Sequence, residues 1–148
     1  MTHVDSAAVD RRLMDAFNAG EWEGVRAIAA PDMVYEEPPT QRRTQGVEDY
    51  IRLCQGWREA FPDCTGDIRR SMTSGDTMVQ EVSWEGTHTG PLQTPGGNIP
   101  ATGKHFRVEA VIWSLLEGDR FMEIRHHLDI FSMFQQLGLI PTAEPAGA

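Results

Sequence analysis

A change of hydrophobic period near Asp67 is what most constrains the fold. Before it, apolar residues recur every three or four positions, along one side of a helix; after it they alternate, which places them on one face of a strand. Helices followed by a run of strands point to an α+β domain in which a curved antiparallel sheet wraps the helices like a cone, rather than to alternating β-α units.

Three helices are expected first. Val9, Leu13, Met14 and Phe17 form one stripe, between a cap at Asp5 or Ser6 and a stop at Gly20. Trp22, Val25, Ile28 and Ala29 form a second, which Pro31 and Asp32 break before a brief strand, MVYEE. Val47, Tyr50, Ile51, Cys54, Trp57 and Phe61 form the third, ended by Pro62. The strands DIRRSMT, TMVQEVSWEG, KHFRVEAVIWSLL and RFMEIRHHL follow, and a short helix closed by Gly138 comes last. Residues 89–104 are too rich in Gly and Pro for regular structure and read either as a lid or entrance loop or as a passive connection packed against a partner subunit. The 148 residues suit one domain, 1–140, with 141–148 as a flexible tail.

Charge narrows the partners. With 22 acidic against 13 basic side chains the net charge is -9, which repels nucleic acid and anionic membrane surfaces. The opening MTHVDSAAVD has neither a basic start nor an apolar run, so a cytoplasmic protein is expected. Cys54 and Cys64 are too few for a disulfide framework and lack metal spacing, so both are read as free thiols.

The stretch Arg125 to Asp129, RHHLD, looks like a catalytic cluster. Strand alternation separates its members: Met122, Ile124, His126 and Leu128 share one face, whereas His127 and Asp129 point the other way. Phe106, Ala110 and Ile112 on the preceding strand, and Trp84 with Gln80 on the one before, complete an apolar concave face with His126 set in it. Two adjacent strand histidines cannot address one metal ion unless a bulge intervenes, so no metal is expected. Asp129 immediately precedes the last helix, where Asp is a favoured N-cap; capping and catalysis both remain open for it. Trp113 and Leu115 fall on the outer face, where pairing of two copies through their sheets would cover them.

Five segments, residues 17–35, 57–63, 86–91, 100–106 and 129–138, together resemble the SnoaL-like polyketide cyclases of the nuclear-transport-factor-2-like superfamily. The resemblance implies a cone-shaped α+β fold, a pocket for a small hydrophobic molecule, acid/base chemistry without a cofactor, and a homodimer. It places His126 where the cyclases carry their acid/base carboxylate, and Tyr35 where their pocket has a polar residue. Ala110 and Ile112 stand where the cyclases have a second polar pair. The expected catalytic set is therefore His126 with Asp129, Tyr35 and His88, the last guarding the pocket mouth. Trp57, Trp84, Phe106, Ala110, Ile112, Met122 and Leu128 would contact the substrate. Glu37, followed by Pro38 and Pro39, reads as solvated. Two further readings stand beside the enzyme: a binding protein without chemistry, and a hydroxylase-like member, for which the sequence shows neither a nucleotide fingerprint nor a metal set.

Overall fold

A computed structural model describes residues 6–141. In chain order the elements are α1 (Ser6–Ala19), α2 (Trp22–Ile28), β1 (Ala29–Glu37), β2 (Arg42–Gln45), α3 (Val47–Ala60), β3 (Thr65–Ser74), β4 (Thr77–Thr87), β5 (Leu92–Thr94), β6 (Gly97–Ile99), β7 (His105–Glu117), β8 (Arg120–Leu128) and α4 (Ile130–Gln136). Six strands form the main sheet in the order β2-β1-β8-β7-β4-β3. This is the α+β class expected, with the helices laid against the sheet's inner face. Asp5 and residues 142–148, where a cap and most of a tail are expected, lie outside the described residues.

The periods explain the packing. Along β7, Phe106, Val108, Ala110, Ser114 and Leu116 are buried while Arg107, Glu109, Trp113 and Leu115 are exposed. On α3, Tyr50, Ile51, Cys54 and Ala60 are buried, and the Tyr50 ring packs 5.1 Å from that of Tyr35 on β1. Phe61, Phe106 and Phe121 are almost completely buried, each stabilising the fold by roughly 1.5–3 kcal/mol relative to exposure. Gly66 permits a close approach: a Cβ there would meet the Met14 sulfur and stand 2.7 Å from the Trp84 ring.

Four features depart from the sequence reading. The sheet is not wholly antiparallel, because β1 and β8 run parallel, with Tyr35 beside Ile124 and Glu36 beside Arg125. Strand β1 begins at Ala29 rather than Met33. A register shift between Ala29 and Val34 takes Pro31, which has no N–H to give, out of the ladder. Residues 89–104 hold a hairpin, β5 with β6, whose turn at Pro95 and Gly96 is what the composition signalled, and whose Leu92 is buried. Finally, Leu115 pairs with Glu123 but Leu116 with Phe121, so Met122 is the extra residue of a β-bulge. The bulge turns Phe121 into the core.

Candidate active site

Between α1, α3 and the inner faces of β4, β7 and β8 lies a cavity of about 80 Å³. Since one water needs roughly 10–15 Å³ of such space, it admits several waters or a ligand of about one ring. Its walls are mostly hydrocarbon, with Phe17, Trp57, Phe106, Ile112, Ile124 and Leu128 among them. Tyr35, Gln80, Trp84 and His126 supply polar atoms. Outside the wall the Arg42 guanidinium lies 5.2 Å from the Trp57 ring and donates to the Gln93 carbonyl, which ties the β5–β6 hairpin to the cavity.

The polar atoms on one side are joined. Trp84 Nε1 is 3.0 Å from His126 Nε2, and His126 Nδ1 is 2.9 Å from the Tyr35 hydroxyl. Tyr35 in turn bonds Glu37 Oε2, and the Thr40 hydroxyl donates to Glu37 Oε1 over 2.6 Å. One member fixes the direction of the whole chain. Indole N–H can only donate, so His126 Nε2 must accept, and a neutral imidazole must then carry its proton on Nδ1. That proton goes to the Tyr35 oxygen, which leaves the Tyr35 O–H to donate to Glu37. Both Glu37 oxygens are acceptors, as in a carboxylate.

Sequence alternation put Glu37 on the same face as Tyr35, yet it is not solvated: it has 0% exposure. Its two prolines form a tight 3-10 turn, Pro38–Thr40, that folds Thr40 back over the carboxylate. The following prolines were therefore the signal of a cap over a buried acid rather than of a solvent-bound chain. The parallel β1–β8 pairing then brings Glu37 Oε2 to 4.0 Å from His126 Nδ1.

Burial sets the electrostatics. It lowers the His126 pKa to about 4, against an opposing pull from Glu37 and with a smaller push from His127. The ring is thus neutral at physiological pH, in agreement with the Trp84 bond, since an Nε2 proton would face the indole proton. Burial first, then the Glu37 charge, pushes the Tyr35 phenol well above its usual range. Cys54 and Cys64, also in the cavity wall, are pushed up to about 12 by burial and stay protonated thiols.

The other expected site residues divide. Trp57, Trp84, Phe106, Ile112 and Leu128 line the cavity with Tyr35 and His126. Ala110 and Met122 do not: Ala110 is buried opposite Leu128, two residue pairs beyond Ile112 and His126, and Met122 sits in the bulge. His88 is no mouth guard but a fully buried residue, tied by Nδ1 to Thr102 (3.0 Å) and packed 5.2 Å from the Phe61 ring. Desolvation lowers its pKa. Asp129 stays outside the pocket, where its carboxylate caps α4 by accepting from the Ser132 N–H at 3.0 Å. Among the described residues no group of three or more His, Cys, Asp or Glu side chains is placed to hold a metal ion, and no helix is long and apolar enough to cross a membrane.

The family model for SnoaL-like polyketide cyclases matches residues 7–137. The chain belongs to that family. Among solved structures, the SnoaL-like chain is similar to a proposed SnoaL-like polyketide cyclase from Jannaschia sp. CCS1 (TM-score 0.81, 19% identity, 95% of this chain and 99% of that one). TsrD from Streptomyces laurentii matches with TM-score 0.80 and 21% identity, over 95% of this chain and 100% of that one. IdmH from Streptomyces antibioticus, a proposed polyketide cyclase, matches with TM-score 0.78 and 26% identity, over 91% and 99%. No curated protein matches the SnoaL-like chain significantly in sequence.

Proposed function

We propose that this SnoaL-like protein is an acid/base enzyme that works with its own side chains on a small, mainly apolar carbonyl compound of polyketide type, by cyclisation, isomerisation or hydration. The observation that carries this reading is the directed hydrogen-bond chain from Trp84 through His126 and Tyr35 to the buried Glu37, opening on an apolar cavity.

The chemistry follows from what each atom can exchange. A substrate carbon next to a carbonyl takes the place of the Trp84 N–H at His126 Nε2 and gives up its proton there, leaving an enolate. A stored imidazolium is disfavoured in this burial, so the Nδ1 proton passes to Tyr35 while the Tyr35 proton passes to Glu37. His126 and Tyr35 end neutral and Glu37 holds the proton. The Trp84 N–H, released from Nε2, is free to donate to the enolate oxygen. The enolate then attacks a second carbonyl, which closes a ring, or takes the proton back at another carbon, which isomerises the substrate. A positioned acid/base of this kind is worth roughly 10²- to 10⁴-fold in rate.

The test is deuterium uptake from D2O at the acetyl group of aryl methyl ketones, followed by NMR. Catalysed exchange in the wild type, lost by that factor in His126→Gln and strongly reduced in Glu37→Gln, is the expected result. Exchange that survives in His126→Gln refutes the role of the ring.

Ile112, an apolar cavity residue where the resemblance puts one of the cyclases' polar pair, favours a second reading, a binding protein without chemistry. Ketone that binds yet exchanges no faster than in buffer supports it.

A further inference from the structure

Gln80 lines the cavity with only 3% of the residue exposed, and its carboxamide makes no hydrogen bond to another described residue. A carboxamide offers two donors and a carbonyl acceptor. That of Gln80 is not sealed in without a partner: it opens on the cavity, so whatever fills that space has to meet its donors and acceptor, a demand that a methionine of similar length would not make. The position therefore fits a group that supplies the missing bonds from inside the cavity.

The register places Gln80 relative to the relay. Gln80 pairs with Ile112, and Ile112 pairs with His126, so the three residues form one row across β4, β7 and β8 on the same face. Strands lie about 4.7–4.9 Å apart, so the Gln80 and His126 backbones stand roughly 10 Å apart with the Ile112 side chain as an apolar floor between them. A space of about one ring, with polar atoms at two opposite edges and hydrocarbon between, defines a ligand shape.

We propose that Gln80 is the second polar anchor of the binding site, and that the ligand is a ring-sized apolar molecule with oxygen functions at both ends: a carbonyl at the His126 and Trp84 edge and a hydroxyl or enolised carbonyl at Gln80. This rests on the pocket reading above, in that the carbonyl end is assigned to His126. The carboxamide both gives and takes a hydrogen bond, so it serves a hydroxyl fully. A molecule with an apolar far end leaves it unpaired, and such a site rejects the analogue that lacks the group.

The probes are acetophenone, with one oxygen, and 4-hydroxyacetophenone, with a second across the ring. Dissociation constants are measured by NMR titration of wild type and Gln80→Met. The wild type is expected to bind the hydroxylated probe about tenfold or more tighter, and Gln80→Met to lose that preference, binding 4-hydroxyacetophenone more weakly and acetophenone more tightly than the wild type does. In the wild type alone, the Gln80 side-chain amide signals move with 4-hydroxyacetophenone and stay with acetophenone, a readout that survives even if the variant folds poorly. Equal binding of the two probes by the wild type, including no measurable binding of either, overturns the proposal, as does a preference that persists in Gln80→Met. Deuterium uptake at the acetyl methyl separates the two readings. Discrimination without exchange overturns the acid/base chemistry and leaves Gln80 as the anchor; exchange without discrimination does the reverse.

Discussion

A carboxylate with no exposed surface destabilises a fold by several kcal/mol unless its oxygens are satisfied, and Glu37 meets that demand with the hydroxyls of Tyr35 and Thr40, one on each oxygen. The consequences reach His126. An unfolded chain takes up a proton on this histidine near pH 6.5, whereas the folded protein refuses it until about pH 4. Between those values the unfolded state binds more protons, so stability is full above pH 6.5 and falls as the pH drops toward 4, by about 3 kcal/mol in all. Denaturant unfolding across that range checks this. His126→Gln should flatten the slope, and an unchanged slope would assign it to other groups. Trp84 gives a second prediction. Its N–H opposes a proton on Nε2, so Trp84→Phe should raise the His126 pKa, read from the ring signals by NMR, while Glu37→Gln should lower it further by removing the favourable charge. A downward shift in Trp84→Phe would refute the assigned direction of the hydrogen-bond chain.

Among the elements, α4 shows how a suggestive motif is divided. The turn from β8 into α4 spends Asp129 as a cap and His127 on the outer face, leaving only His126 to the cavity. Asp129→Ala should therefore cost about 0.5–2 kcal/mol of stability, measured by thermal or urea unfolding, without changing ketone exchange per folded molecule. A fall in exchange as deep as that of His126→Gln would return Asp129 to the chemistry. Strand β1 shows the opposite case. Its alternation was readable, and it put Glu37 and Tyr35 on one side, but the prolines after Glu37 read as a sign of exposure. Only the tight turn they form, with Thr40 laid back over the acid, reveals a polar lid.

For the molecule as a whole, the outer face of β7 leaves Trp113 47% and Leu115 42% exposed, a ridge that pairing of two copies through this face would cover. Sedimentation equilibrium is expected to give a dimer for the wild type and a monomer for Trp113→Glu; a monomeric wild type removes the idea. The whole molecule also shows where sequence stops. The change of period near Asp67 and the alternation determined by themselves an α+β fold, the inward faces of β4 and β7 and the set of His126, Trp84, Ile112 and Leu128 on the concave side, because those properties depend on neighbours one to four residues away. Met122 was misplaced by a bulge, which alternation does not anticipate. The parallel joining of β1 to β8 was decided by tertiary structure alone, since it links residues about 90 positions apart, Tyr35 with His126. No local pattern encodes such a pairing. It arises from closing the sheet around the helices, and it is what turns a buried acid, a phenol and an imidazole into one chain of hydrogen bonds.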